Sequence, residues 1–240
     1  DRYDYLMNYF SYTRNSISSL LFIFPFFLMY EILAYFLFDN SNYVIRNSAD
    51  IIFRDIFSII TNNTWLTYNS LLLVIILLII LYSYKTNADT FNLNYIFFMF
   101  IEGMFFGLLL VFILNGTNIL NYSSQNYFLI DYSFMFYSCL GAGIWEEILF
   151  RFLLLSTIIK VINKITNNYS SIIISLIISS LLFSLFHYIG SSGDVFTLYT
   201  FIVRFIGGIY LSIIYLYRGL GISMISHIIY DFILVTIPVL

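Results

Sequence analysis

Glu146, Glu147 and Arg151 occur together in the run Gly141-Ala-Gly-Ile-Trp-Glu-Glu-Ile-Leu-Phe-Arg151. The run lies within a mostly apolar stretch from Phe128 to Ile162. An ionised group held in hydrocarbon costs several kcal/mol, so residues of this kind mark function. On a helix Glu147 and Arg151 are four residues apart and share a face, which lets them pair, whereas Glu146 points about 100° away and lacks that partner. One carboxylate therefore reads as structural and the other as free to react. The chain's two histidines repeat the spacing: Phe183 and His187 are four apart, as are His227 and Asp231. Carboxylate and imidazole together can deprotonate a water for attack on a carbonyl, with Glu146 as general base. The tetrahedral intermediate then needs donors aimed at its oxyanion. His227 can supply one, with Asp231 fixing its orientation or, if protonated, donating as well. The chemistry expected of this set is acyl transfer to water: peptide hydrolysis within a membrane.

Other mechanisms leave other marks. No Gly-x-Ser-x-Gly elbow, His-Glu-x-x-His pair, phosphate-binding glycine loop or Cys-x-x-Cys is present. Cys139, the only cysteine, excludes an internal disulfide and cannot alone make a thiolate metal site; its apolar neighbours suit a small packed residue. Two histidines with a glutamate and an aspartate could ligate zinc, so a metal-dependent membrane protease is the nearest rival to a cofactor-free enzyme. A non-catalytic immunity or scaffold protein would keep the same cluster for folding or partner binding. A proton-coupled transporter would use it as a relay, but no inverted repeat or pair of broken helices supports that reading.

Membrane helices must position these groups. The 240 residues are 61% hydrophobic, 21% aromatic and only 10% charged, a composition outside the soluble globular range. A net charge of −3 with ten basic residues offers no basic stripe for phosphate backbones, which excludes nucleic acid as a partner. The expected fold is all-α: a polytopic bundle of seven to eight spans in one integral membrane domain over 1–240. Residues 17–130 supply the N-terminal spans, and 131–234 the core that carries the chemistry. Runs of about 20 apolar residues suffice to cross a bilayer. They are Ile17–Phe38, Trp65–Tyr84, Tyr95–Leu114, the long run that holds Glu146, Ser170–Ile189, Val195–Tyr217 and Gly221–Leu240. An eighth span arises if the long run breaks near Gly141. Gly103 and Gly107 suit close helix approach. Asn47–Ile60 reads as an amphipathic helix at the interface, followed later by a polar loop at Asn115–Asn126.

With the N-terminus inside, Arg2, Arg14, Lys85, Lys160, Lys164 and Arg218 fall on one side and only Arg46 and Arg54 on the other, so the N-terminus is expected in the cytoplasm. No removable signal peptide is expected before the first apolar run. All four glutamates, Glu31, Glu102, Glu146 and Glu147, lie in these spans and need partners, protonation or water. Arg204 is expected to neutralise Glu102 or Glu147, and Glu31 to pair with a histidine or sit protonated. Asp50, Arg54 and Asp55 read as the solvated face of the interfacial helix, and Trp145 as core.

Taken together, Glu146-Glu147-x-x-x-Arg151, Phe183-x-x-x-His187 and His227-x-x-x-Asp231 resemble the three motifs of the CPBP family, over roughly Ser133–Phe232. That family comprises type II CAAX prenyl endopeptidases and the bacterial Abi proteins related to bacteriocin processing and immunity. The resemblance implies a glutamic-type intramembrane endopeptidase without an essential metal, acting on a membrane-anchored protein or peptide. Glu146 would be the base and Glu147 would be held by Arg151. His187 would bind and activate the water, and His227 with residue 231 would line the oxyanion hole. The animal, yeast and archaeal prenyl proteases of the family carry asparagine where this chain has Asp231, and an ionised aspartate cannot donate to an oxyanion. Leu21–Glu31 followed by Arg46-Asn-Ser-Ala-Asp50 is similar to bacterial members that include the myxosortases. This favours a bacterial cytoplasmic membrane and a protein-processing role. In a straight stack of spans, His187 and His227 would sit at unequal depths, so tilt, a re-entrant turn at 191–194 or a broken fourth span must bring them together.

Overall fold

The computed structural model describes residues 2–38, 44–59, 81, 92–115, 132–190 and 193–236. Every regular element among them is helical. In chain order they are α1 (Arg2–Arg14), α2 (Ser16–Phe38), α3 (Ser48–Ser58), α4 (Leu93–Asn115), α5 (Tyr132–Gly141), a π-helix (Ala142–Leu155), α6 (Ser156–Ile162), α7 (Asn168–Phe186), α8 (Leu198–Arg218) and α9 (Leu220–Thr236). The expected span at 65–84, apart from Leu81, and the expected polar loop at 115–126, apart from Asn115 at the end of α4, lie outside the described residues.

Among the described residues, four helices, α2, α4 (over Leu93–Leu114), α7 and α8, are long and apolar enough to cross a bilayer, and α9 is a shorter apolar helix. Large apolar side chains such as Phe36, Phe105, Phe112 and Leu185 point outward from them. That outer surface needs lipid rather than water, and the protein is an integral membrane protein. α5, the π-helix and α6 follow one another without an intervening loop. Gly141 itself is helical, at φ −59° and ψ −47°, so the chain does not reverse there. The turns are chemically marked. Asn167 caps α7 by accepting from Ser170 N–H, Thr197 caps α8 by accepting from Thr200 N–H, and Gly219, at φ 90°, makes the tight turn into α9.

Two close approaches set the core. α9 packs along α4, where Gly103 and Gly107 sit against Ile225 and Ile229. It also meets the π-helix at Gly143, where an added Cβ would collide with Ile228 Cγ1 and come within 3.1 Å of the Met224 carbonyl. α1, a helix the sequence analysis did not anticipate, is tied in by Tyr9, whose hydroxyl donates to Glu102 at 2.6 Å.

α3 is a helix, as expected, but its charges turn the other way. Asn47 begins it by accepting from Ala49 N–H at 2.8 Å. The face carrying Asp50 and Arg54 then meets Glu31 of α2 and Arg46. Asp50 is fully buried and Arg54 is largely so; of the expected solvated face only Asp55 is exposed. Ile51, Ile56 and Ile59 are the outward residues, at 43, 55 and 85% exposure, which suits contact with lipid better than with water. Burial pushes the Asp50 carboxyl up from its ordinary range, against the opposing pull of the Arg54 and Arg46 guanidinium groups.

Candidate active site

Glu31 receives both Arg46 Nη atoms, at 2.6 and 2.9 Å, and Arg54 Nη2 at 3.0 Å. It pairs with neither histidine. Asp50 takes Arg54 Nε at 2.8 Å and Arg46 Nη1 at 3.3 Å, which closes a buried quartet of two carboxylates and two guanidinium groups. The expectations for Arg204 and Glu102 are also corrected. Arg204 pairs with Asp194 in the segment before α8, and Glu102 pairs with Arg218 at the end of α8 and with Tyr9. The helices that bring charges together are neighbours in space that sequence distance conceals.

The π-helix carries the centre of the site. Its wider turn, built on i→i+5 hydrogen bonds, is rare and concentrates at functional positions. Glu147 and Arg151 still meet, with Arg151 Nη1 2.8 Å from Glu147 Oε1; both side chains are essentially excluded from solvent. The contact is an ion pair without aligned hydrogen bonds, and the guanidinium instead lies 4.2 Å over the Phe183 ring. Glu147 does more than answer Arg151. It also accepts from Ser223 Oγ at 2.6 Å and lies 2.9 Å from His227 Nδ1. Because a carboxylate only accepts, His227 donates through Nδ1, and that fixes which ring nitrogen faces the site: Nε2, 3.5 Å from Asp231 Oδ2.

Glu146, on the neighbouring face, is also buried, at 6% exposure. Oε1 accepts from Asn47 Nδ2 at 2.9 Å. Oε2 has no hydrogen-bond partner among the described residues and lies 3.8 Å from His187 Nε2. The other nitrogen of that ring, Nδ1, is 2.9 Å from the Phe183 carbonyl and so is the protonated one in the neutral ring. Nε2 is then left as an acceptor facing the carboxylate. Two acceptors at that separation can share one water at their side, which donates to both.

The two histidines reach each other's level after all. His187 follows the last residue of α7, and the close contact at Gly143 lets α9 bring His227 alongside. The Phe183 ring, which is buried, touches both imidazoles edge-on, at 5.0 Å from His187 and 5.9 Å from His227. Glu146, Glu147, Arg151, His187, His227 and Asp231 thus form one connected cluster on the π-helix, at the C-terminal cap of α7 and on α9. Trp145 is core, as expected, against Phe27 and Phe53. Among the described residues, no three His, Cys, Asp or Glu side chains converge in a way that would hold a metal ion.

Two further residues join the site. Ser223 lies four before His227 on α9, a spacing that could have flagged it. Asn47 entered the sequence reading only within the stretch Arg46-Asn-Ser-Ala-Asp50, and nothing in the sequence pointed it at Glu146.

No curated protein and no solved structure matches the chain. One family model does, that of the type II CAAX prenyl endopeptidases described as Rce1-like, over residues 128–233. All six clustered residues fall inside that span, and the segment that carries them is a domain of this family of membrane proteases.

Proposed function

We propose that this protein is an intramembrane endopeptidase that hydrolyses a peptide bond near the C-terminus of a membrane-anchored protein or peptide, using a water activated by Glu146 and His187. The observation that carries this reading is the division of labour within one carboxylate. Glu146 Oε1 is anchored, while Oε2 is unpartnered, buried and 3.8 Å from His187 Nε2. Oε2 takes a proton from the water, the water oxygen attacks the scissile carbonyl carbon, and the proton then passes from Glu146 to the leaving amine. His227, gripped by Glu147 through Nδ1, offers Nε2–H to the oxyanion in its doubly protonated form. Asp231, 3.5 Å from Nε2, balances that ring rather than donating. Arg151 and Ser223 hold Glu147.

No cofactor enters this mechanism. The sidedness expected from Lys and Arg is supported by a cavity of about 320 Å³ lined by Arg14, Ser16, Lys160 and Gly219, which groups three positively marked segments at one end of the bundle. We assign that end to the cytoplasm of a bacterial cell.

The test uses the full chain in liposomes with chelator present, and two probes: a farnesylated-cysteine peptide with a short C-terminal tail, and an unprenylated membrane-anchored tail peptide. Cleavage by the wild type, lost in Glu146→Gln, is expected. Equal cleavage by both removes Glu146 as base. Restoration by zinc of activity lost to chelator would establish the metal-dependent alternative. A folded wild type that cleaves neither probe would favour a non-catalytic immunity or scaffold role.

A further inference from the structure

We infer that Asn47 is a positioning residue for this reaction: its amide fixes the Glu146 carboxylate so that Oε2 alone faces His187 and the water. The inference rests on the reading of Glu146 as base, but its observations are separate and lie in a segment outside residues 128–233.

The amide has only one orientation open to it. Asn47 Oδ1 is occupied as the helix cap, accepting from Ala49 N–H at 2.8 Å. Nδ2 therefore faces Glu146 Oε1, at 2.9 Å, and can only donate. The donor stands on a rigid mount. Asn47 N–H reaches the Tyr30 hydroxyl at 3.4 Å, and the Tyr137 hydroxyl donates to the Ile45 carbonyl at 2.7 Å. The Tyr30 and Tyr137 rings stack face to face at 4.6 Å. Directly behind, the Glu31–Arg46–Asp50–Arg54 quartet pins both ends of the segment. The mount is also seated against the π-helix. An added Cβ at Gly141, five residues before Glu146, would lie 2.8 Å from Tyr30 Cε2 and 3.2 Å from Asn47 Cβ.

The terminal torsion of a glutamate is broad, so an unanchored carboxylate samples orientations in which neither oxygen points at the water. A misplacement of about 1 Å in a reacting group can cost on the order of a hundredfold in rate. Anchoring one oxygen leaves the other aimed.

The decisive variants keep the cap and change the donor. Asn47→Asp caps a helix as well as asparagine does, but sets a carboxylate against Glu146 Oε1; Asn47→Ser also caps, but is too short to reach it. Cleavage of whichever probe the wild type accepts is expected to show kcat reduced about 10- to 100-fold in both variants, with KM within about twofold. A residue that merely caps α3 would leave kcat unchanged in both, and that result overturns the inference while the base assignment stands. Thermal unfolding supplies a readout without activity. Asn47→Asp should lower the melting temperature in the Glu146 chain and lower it much less when combined with Glu146→Gln, whose amide can donate to the introduced carboxylate. Equal shifts in both backgrounds would show that the two side chains do not meet, and would overturn the inference. If the wild type cleaves neither probe, the reading of Glu146 as base is what fails, and the melting cycle alone decides whether Asn47 holds Glu146.

Discussion

Removing the Arg151 charge should reveal how the inner carboxylate is held. In Arg151→Gln, Glu147 stays fully buried and loses its closest cation, which lies 2.8 Å away. At that separation the Coulomb attraction is about 6 kcal/mol for an effective dielectric of about 20. The lost contact with the Phe183 face adds about 1–2 kcal/mol. Part of this is returned, because the guanidinium no longer has to be desolvated, and experience with buried pairs puts the net cost of removing one partner at about 3–5 kcal/mol. The lack of aligned hydrogen bonds from this guanidinium argues for the lower half of that range. Removing both charges, in Glu147→Gln with Arg151→Gln, leaves no orphaned ion and should recover about 1–3 kcal/mol relative to Arg151→Gln alone. The assay is SDS-titrated unfolding in mixed micelles, run beside peptide cleavage. Stability should return in the double variant while cleavage does not, because His227 has lost the carboxylate that orients it. The reasoning is refuted if Arg151→Gln is as stable as the wild type, or if the double variant is less stable than the single one.

Three further outcomes are expected. Gly143→Ala places a Cβ against Ile228 Cγ1 and 3.1 Å from the Met224 carbonyl, so α9 must move and cleavage should fall at least about tenfold; Gly207→Ala, whose Cβ meets only Leu114 Cδ1 at 3.4 Å, should stay near wild type in the same assay. Ser223→Ala removes a buried 2.6 Å bond to a carboxylate and should lower unfolding free energy by about 1.5–3 kcal/mol, measured in the same titration. Asp231→Asn should reduce kcat by less than about tenfold, since Glu147 at 2.9 Å is His227's nearer partner and Asp231 stands off at 3.5 Å; a loss beyond about a hundredfold would make the Asp231 charge essential.

What the sequence made legible, and what it did not, follows from the physics of each signal. Charge in an apolar run is expensive wherever it sits, so Glu146, Glu147, Arg151, His187, His227 and Asp231 announce themselves one by one, and spacing of four puts pairs on one face. The same cost argument says that Glu31, Glu102 and Arg204 need partners but not which ones. Their partners depend on which helices touch: Glu102 meets Arg218 across 116 positions, and Asn47 meets Glu146 across 99. Amphipathicity misread α3 for a related reason. Periodicity finds two faces, but calling the charged one solvated assumes that water is the better partner, and here Glu31 and Arg46 are. Unequal depth of the histidines looked like an obstacle because counting residues along each span assumes straight, parallel helices, whereas the Phe183 ring meets both imidazoles.

The quartet beneath Asn47 bears on how such a chain is made. Glu31, Arg46, Asp50 and Arg54 sum to zero charge within a stretch of sequence that leaves the ribosome well before the π-helix exists. The hairpin of α2 and α3 can therefore neutralise itself while still alone in the translocation machinery. Among the described residues, the polar links left for the later half to complete run through uncharged groups on one side or the other, including the Asn47 amide to Glu146 and the Tyr137 hydroxyl to the Ile45 carbonyl. The reactive half thereby docks its own charges onto a template whose buried ions are already paired, and a failed docking would leave no orphaned buried ion on the α2–α3 side.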